Sequence, residues 1–176
     1  MNGALQPVHQ ARYASPLGTL YIVFTPQAIV GLAYQPNPDL GFYPLPKAYA
    51  TALNEYFAGE FSATDALPIA FLHGTAFQQH VWHAIRDIPV GHTISYQQLA
   101  QQIDRPQACR AVGQALKINP IAIILPCHRV VRQSGELGGY AGSSDLGRSR
   151  KHFLLWHEGV VTSQRHQSQL PLVATQ

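Results

Sequence analysis

Apolar residues in the first part of the chain form short runs typical of β-strands. Two of these runs, Thr19–Thr25 and Ala28–Tyr34, are separated by only two residues, which predicts a tight connection between paired strands. After a loop rich in proline and glycine, the apolar positions from Lys47 onward recur at helical spacing, and Gly59 is suited to end that helix in a left-handed conformation. The pattern predicts a small α/β lobe over residues 1–72.

Helical spacing dominates the second part of the chain. Capping-box sequences at Thr75–Gln78 and Ser95–Gln98 predict the starts of two helices. Pro106 is suited to the first turn of a third helix, which we expect to run to about Ile118 before an Asn-Pro pair ends it. Two short helices joined by a tight turn suggest a helix-turn-helix motif.

The third predicted helix has two different faces. Cys109, Val112 and Leu116 fall on one side. The opposite side is small and basic, and its residues are Ala108, Arg110, Ala111, Gly113, Gln114 and Lys117. Small residues let a backbone approach a nucleic acid closely, and cations attract its phosphates. Because any short surface helix can have such a face, the pattern leaves DNA contact and plain solvent exposure equally open.

The segment Ile121–Val131 contains an apolar run of strand type that ends at Pro126. Cys127 follows the proline and stands beside His128. A free cysteine in an apolar run is more often a small buried side chain, and neighbours on an extended strand point to opposite faces. The pair is therefore a candidate nucleophile and base whose chemistry depends on the rest of the chain.

A glycine-rich loop, Gly135–Ser144, comes after this pair. Its glycines are suited either to line a pocket for a planar ligand or simply to turn the chain. The last predicted helix, Asp145–His157, has Leu146, Phe153 and Leu154 as its apolar face.

Composition and charge bound the class of protein. The chain has 176 residues, of which 46% are hydrophobic, and this is enough for one sizeable domain or two small lobes that share an interface. We expect the second lobe to cover residues 73–160 and a frayed polar tail to cover residues 161–176. Basic residues outnumber acidic ones from His73 to Gly159 but not before, so any face that binds a polyanion belongs to the second lobe.

Cysteine and histidine content argues against a metal or disulfide framework. Two cysteines are too few for a disulfide scaffold or a four-cysteine zinc site, and His80 and His83 lack nearby carboxylate or thiolate partners in the sequence. We expect no metal site and no required cofactor. Met1–Ala14 lacks the pattern of a secretory signal, and no apolar run reaches the ~18 residues that span a bilayer. We therefore expect a soluble, cytoplasmic protein with no membrane partner.

Several short motifs occur in the order that is found in one known family. These motifs are Ser95–Ala100, Cys109–Gly113, Asn119-Pro120, Pro126–Val130, Gly139–Gly142 and His157–Gly159. Together they cover most of His73–Gly159 and resemble the O6-alkylguanine-DNA alkyltransferases, also called methylated-DNA–protein-cysteine methyltransferases. Weaker similarity extends into the first lobe through Ser15–Gly18 and Tyr56–Gly59.

The resemblance implies an α/β plus α fold in two lobes. The first would be a small ribonuclease-H-like α/β lobe, and the second a winged-helix-like helix-turn-helix lobe that holds the active site. Members of the family move an alkyl group from O6 of guanine in double-stranded DNA, and less readily from O4 of thymine, onto their own cysteine. The transfer is irreversible and consumes the protein. The resemblance also implies a monomer whose partner is DNA that contains alkylated bases.

The resemblance implies catalytic roles for the residues at matching positions. Cys127 matches the alkyl acceptor, while His128 and Glu158 match a relay in which glutamate orients histidine and histidine acts on the thiol through a water. Tyr96 matches the tyrosine that stabilises the leaving guanine oxygen. Asn119 matches an asparagine that holds the helix-turn-helix to the active-site segment.

Other matching positions concern the DNA. Arg110 matches the arginine that fills the base stack once the target base is flipped out, and the helix that carries it enters the minor groove in this family. The backbone around Tyr140 and Ala141 matches the segment that reads the base edge. The residues expected at the substrate pocket are Leu116, Leu137, Tyr140, Ala141 and Gly142.

Three other classes of function remain open on the residues alone. A non-catalytic protein that binds DNA lesions can share this architecture, but such proteins replace the cysteine, and Cys127 is present. A hydrolase of amides or esters would use the same Cys127-His128 pair without needing a basic helix-turn-helix. A transcriptional regulator would need to bind a defined operator, and the sequence contains no second sensor domain.

Overall fold

The computed structural model describes residues 7–141 and 145–160. The expectations for Gly142 and for the tail at 161–176 lie outside these residues. The strands are β1 (His9–Ser15), β2 (Gly18–Phe24), β3 (Ile29–Ala33), β4 (Ile94–Ser95) and β5 (Val130–Val131). The α-helices are α1 (Lys47–Ala58), α2 (Ala76–Arg86), α3 (Tyr96–Gln102), α4 (Cys109–Lys117) and α5 (Asp145–His157), and short 3-10 helices occupy Phe61–Thr64 and Cys127–Arg129.

The larger sheet is a three-stranded antiparallel meander in the order β1-β2-β3. The sequence correctly predicted β2 and β3 but missed β1. Only Gln10 and Ala11 are buried in β1, and a buried glutamine hides the apolar alternation from which a strand is recognised. Gln10 is tolerated because its side chain bonds the loop backbone, where the amide of Asn37 donates to Gln10 Oε1 at 2.7 Å.

The open edge of β3 pairs with distant segments of the chain. The amide of Ile29 donates to the carbonyl of Pro68 at 2.9 Å, so the chain after the first 3-10 helix returns to the edge of the sheet. Further along β3, the amide of Leu32 donates to Pro120 at 2.8 Å, and the amide of Ala122 donates back to Leu32 at 3.0 Å. The three-stranded sheet is therefore bonded directly to the segment that leads to Cys127.

The two capping boxes are confirmed. Thr75 and Gln78 bond each other's backbone amides at the start of α2, and Ser95 and Gln98 do so at the start of α3. The indole of Trp82 donates to the carbonyl of Ala115 at 2.8 Å, which ties α2 to α4. Buried apolar residues of both predicted lobes form one contiguous core cluster.

The predicted start of the third helix is wrong, because α4 begins at Cys109 and not at Pro106. Asp104 takes a left-handed backbone with φ of 57° after α3, and the amide of Ala108 then closes a turn onto Arg105 at 2.8 Å. The proline therefore lies within this turn, where its fixed φ is equally suitable.

Two other sequence predictions need correction. The apolar run before Cys127 is not a regular strand, since only isolated bridges occur there and Ile123 has a φ of 73°. Leu146 is not on the inward face of α5 but is 54% exposed. The buried residues of that helix are Gly147, Lys151, Leu154 and Leu155.

Candidate active site

Two tight turns present Cys127 at the start of a 3-10 helix. The amide of Ile124 donates to Ala122 at 2.9 Å around Ile123, and the amide of Cys127 donates to Leu125 at 2.8 Å around Pro126. The first is a three-residue turn with positive φ, which is rare and strained for a β-branched residue. These bonds replace a regular strand directly before Cys127.

The thiol of Cys127 is enclosed by protein and 9% exposed. The side chain of Asn119 donates to the carbonyl of Leu125 at 2.9 Å and also bonds the thiol. Burial raises the pKa of Cys127, and the Asn119 bond and the charge of Lys151 offset only part of that rise. The cysteine is therefore mainly a thiol at neutral pH and needs a base to become a nucleophile.

His128 is fully buried and paired with a carboxylate. Its Nε2 lies 2.9 Å from Oε1 of Glu158, and because a carboxylate only accepts, Nε2 is the protonated nitrogen. Burial lowers the pKa of His128, and the carboxylate offsets part of this effect. The other nitrogen, Nδ1, is buried without a hydrogen-bond partner among the described residues. A neutral imidazole in this tautomer offers Nδ1 as a proton acceptor.

Glu158 accepts hydrogen bonds from two residues besides His128. Arg129 donates through Nε to Oε2 at 2.8 Å and through Nη2 to Oε1 at 2.9 Å, and the hydroxyl of Tyr56 donates to Oε1 at 2.7 Å. Burial raises the pKa of Glu158, but the hydrogen bonds and charges of His128 and Arg129 outweigh it and hold that pKa well below its usual range. The carboxylate is thus fixed in its ionised form.

Lys151 of α5 is a second buried cation near the thiol. Its Nζ donates to the carbonyl of Val130 at 2.5 Å and lies 6.0 Å from the ring centre of Tyr96. Burial lowers the pKa of Lys151 to about 8, although the neighbouring Cys127 raises it. Sequence reasoning gave no role to Lys151, Arg129 or Tyr56. Arg129 lies within the Pro-Cys-His-Arg motif and Tyr56 within the weaker Tyr56–Gly59 motif, but nothing in the sequence pairs either residue with Glu158.

Tyr96 opens α3 and is held between two glycines. A Cβ on Gly113 of α4 would meet the Tyr96 ring at 3.9 Å, and a Cβ on Gly138 would lie 2.9 Å from the Tyr96 hydroxyl. Burial raises the pKa of Tyr96, and Cys127 raises it further, so the phenol keeps its proton at neutral pH. The close approach of Gly138 explains why a residue without a side chain stands there.

The predicted pocket residues differ in how deeply they are buried. Tyr140 is buried with its ring edge-on to His128 at 6.2 Å, and its hydroxyl lies 3.1 Å from that of Tyr34. Leu116 lies in the hydrophobic core, Leu137 is half-buried, and Ala141 is exposed with a φ of 45°.

The outer face of α4 agrees with the sequence pattern. Its exposed residues are Arg110, Ala111, Gln114 and Lys117, with Ala108 and Gly113 half-buried beside them. Val112, Ala115 and Leu116 are buried on the inner side. Cys109, which shares a predicted side with Val112 and Leu116, is only half-buried.

The described part of the chain contains neither a cluster of metal ligands nor a helix that could span a membrane. Within residues 7–141 and 145–160, no group of three or more His, Cys, Asp or Glu side chains could hold a metal ion. None of the helices in this same part of the chain is long and apolar enough to cross a bilayer.

Comparisons with known proteins converge on one family. The family model for the DNA-binding domain of 6-O-methylguanine DNA methyltransferase matches residues 76–160. A methylated-DNA–protein-cysteine methyltransferase of Mycobacterium leprae is 43% identical over 156 residues, which cover 84% of this chain and 90% of the relative. A protein of the same name from Shigella flexneri is 50% identical over 116 residues, but the match spans 66% of this chain and only 65% of the relative's length.

A solved structure has the same mixed α/β architecture of a small sheet and a helical part. The crystal structure of Mycobacterium tuberculosis OGT in complex with DNA superposes with a TM-score of 0.74 at 40% sequence identity. The match covers 85% of this chain and 92% of that one.

Proposed function

Because the chain belongs to the family of methylated-DNA–protein-cysteine methyltransferases, we propose that it repairs DNA by moving an alkyl group from a base onto Cys127. The favoured substrate is O6-alkylguanine in a duplex, with O4-alkylthymine as the poorer one. The observation that carries the proposal is the buried His128-Glu158 pair beside Cys127, with Nδ1 of the imidazole left as an acceptor. This arrangement supplies the base that a buried thiol requires.

Transfer is a single displacement at the alkyl carbon. His128 takes the thiol proton at Nδ1 through a bridging water, and the sulfur of Cys127 then attacks the carbon in line with its bond to O6. A carbon–sulfur bond forms as the carbon–oxygen bond breaks, and the electron pair of that bond stays on the guanine. Tyr96 donates a proton to the leaving base and is reprotonated from the relay, so the net products are guanine and a thioether. Because the carbon–sulfur bond of the thioether is stable, the alkyl group stays on Cys127 and each protein molecule reacts once.

The helix α4 is the proposed contact with DNA. Its small outer face suits the minor groove, where Ala108, Ala111 and Gly113 permit close approach and Lys117 and Gln114 meet the backbone. Flipping the damaged base costs a few kcal/mol, and Arg110 would occupy the vacated stack. The crystal structure of Mycobacterium tuberculosis OGT in complex with DNA supports this proposal.

The finer architecture and setting belong to the same proposal. Helices α3 and α4 act as a winged-helix-like helix-turn-helix in a lobe over residues 73–160, and the preceding residues form a ribonuclease-H-like lobe. The protein acts in the cytoplasm as a monomer without a cofactor, a setting that suits its two free cysteines.

Restoration of guanine tests the proposal. A duplex whose restriction site is blocked by one O6-methylguanine is mixed with increasing amounts of protein, and cleavable DNA is counted. We expect one repaired site per protein molecule, and none with Cys127→Ser. Lesion-dependent binding without repair would instead identify a lesion-binding protein. Repeated turnover of an amide or ester by the wild type, without repair, would identify a hydrolase.

A further inference from the structure

Tyr56 reaches the catalytic centre from the opposite lobe. It lies on α1, it is 1% exposed, and its hydroxyl donates to Oε1 of Glu158 at 2.7 Å across 102 positions of sequence. The same oxygen receives Nε2 of His128 at 2.9 Å. The phenol therefore bonds the very atom through which Glu158 holds the imidazole.

The ring of Tyr56 is fixed on several sides. It packs edge-on against Phe57, Phe61 and His157, with ring centres between 5.2 and 5.6 Å apart. Its backbone carbonyl also lies 2.9 Å from Nε2 of His157, the residue before Glu158. These contacts leave the hydroxyl little freedom, so it acts as a fixed donor rather than as an adaptable one.

A phenol at this position affects the charge of the carboxylate. Burial raises the pKa of Tyr56, and the charge of Glu158 raises it further, so the group remains a neutral donor. A neutral donor withdraws negative charge from Oε1 and thereby weakens the attraction of Glu158 for a protonated His128. Without the hydroxyl, the carboxylate would be freer to turn and would hold an imidazolium more strongly.

We propose that Tyr56 is a positioning residue for alkyl transfer, which orients Glu158 and sets the basicity of His128 from the first lobe. This inference rests on the proposed function, since it concerns the same proton relay. It makes the first lobe a contributor to the active site and not only a structural support.

The groups that face the His128-Glu158 pair come from several parts of the fold. They are Tyr56 of α1, Arg129 and Cys127 of the catalytic segment, Lys151 of α5, Tyr140 of the glycine-rich loop, and Tyr34 behind Tyr140. All of them except the hydroxyl of Tyr56 are kept when that residue becomes phenylalanine, so a changed pH profile reports on the one missing donor.

The test is the single-turnover rate of methyl transfer from an O6-methylguanine duplex, measured against pH for the wild type and for Tyr56→Phe. Loss of one hydrogen bond to a charged group should slow transfer about five- to tenfold at neutral pH. The acid limb of the profile should also move to higher pH, because His128 then holds its proton more strongly. Tyr49→Phe is the matched control, since this buried tyrosine of α1 packs edge-on against Phe24, and it should leave both values unchanged.

A second experiment, made in a variant that lacks the Glu158 carboxylate, separates a positioning role of Tyr56 from plain structural support. In a protein that already carries Glu158→Gln, adding Tyr56→Phe should change the rate less than twofold, because the two residues act through one bond. Substitution of Tyr56 by 3-fluorotyrosine, a stronger donor of similar size, should move the acid limb of the pH profile to lower pH. This substitution also provides the test if Tyr56→Phe does not fold.

Two outcomes would overturn the inference while leaving the proposed function intact. One is a wild-type pH profile in Tyr56→Phe or in the 3-fluorotyrosine protein, and the other is an equal loss of rate in the Glu158→Gln background. Absence of transfer by the wild-type protein would instead overturn the proposed function itself.

Discussion

Arg129, rather than His128, supplies the lasting positive charge that balances Glu158. An arginine stays charged at every accessible pH, and it bonds both oxygens of the carboxylate, whereas burial lowers the pKa of His128. The relay therefore consists of an ion pair with a neutral imidazole attached. This leaves His128 free to accept a proton in the proposed transfer instead of holding one beforehand.

Replacement of Arg129 should destabilise the protein. In Arg129→Met the buried carboxylate loses its cation, and we expect the free energy of unfolding in urea to fall by ~3 kcal/mol at pH 8. The loss should be smaller near pH 5.5, where His128 can take a proton and replace the charge. Arg132→Met is the matched control, because its pair with Glu136 is exposed, and it should change stability by less than ~0.5 kcal/mol. Equal losses in the two variants would contradict this account.

Lys151 should make stability depend on alkaline pH. Burial lowers its folded-state pKa to about 8, whereas the unfolded chain keeps the ordinary value of 10.5. Between these values the unfolded state binds more protons, so the free energy of unfolding rises with pH by as much as ~2–3 kcal/mol. Urea unfolding between pH 7.5 and 10.5 should show this rise in the wild type relative to Lys151→Met. Parallel pH curves for the two proteins would show that Lys151 is not perturbed.

Local sequence rules succeed for elements whose determinants are neighbours in the chain. The capping boxes at Thr75 and Ser95 gave the starts of α2 and α3 correctly, since both halves of each box lie within one turn. The same kind of rule misplaced α4, because Pro106 fits a turn as well as a helix start. It also missed the two tight turns before Cys127, where an isoleucine has positive φ and the residue before it pairs with β3.

Gly138, in the loop that faces Tyr96, offers a test of the role of that tyrosine. A Cβ at Gly138 would lie 2.9 Å from the Tyr96 hydroxyl, so Gly138→Ala should displace the proposed proton donor and slow methyl transfer at least tenfold. Gly135 has a similar positive φ, but nothing lies within 4 Å of an added Cβ. Gly135→Ala therefore carries the backbone strain alone and should keep nearly the wild-type rate. The measurement is single-turnover transfer, and equal rates in the two variants would contradict the role of Tyr96.

The first and second parts of the chain are joined by contacts between residues that are far apart in the sequence. Charge and periodicity both change near residue 72 and suggest separate lobes, yet Leu32 of β3 bonds the segment before Cys127, and Tyr56 bonds Glu158. Arg86 of α2 also donates to the carbonyl of Asp65 at 2.5 Å. Residues so far apart cannot be paired from one sequence, so the catalytic motif was predictable and its support from the first lobe was not.

These contacts predict that the two predicted lobes unfold together. Native-state hydrogen exchange should give the slowest amides of β2 and α2, such as those of Ile22 and Ile85, opening free energies that agree within ~1 kcal/mol. Tyr56→Phe should lower both by the same amount. A gap of several kcal/mol between the two elements would show independent lobes and would remove the structural basis for coupling through Tyr56.

The most direct test of the account is mass spectrometry of the protein after it has reacted with duplex DNA containing one O6-methylguanine. The predicted result is one added methyl group per molecule, located on the Cys127 peptide, with none in Cys127→Ser. Cys109 is a half-buried free cysteine in the same chain and serves as an internal control for nonspecific alkylation. An unmodified Cys127 with the lesion still in the DNA, or a methyl group on Cys109 instead, would contradict the claim that Cys127 is the acceptor.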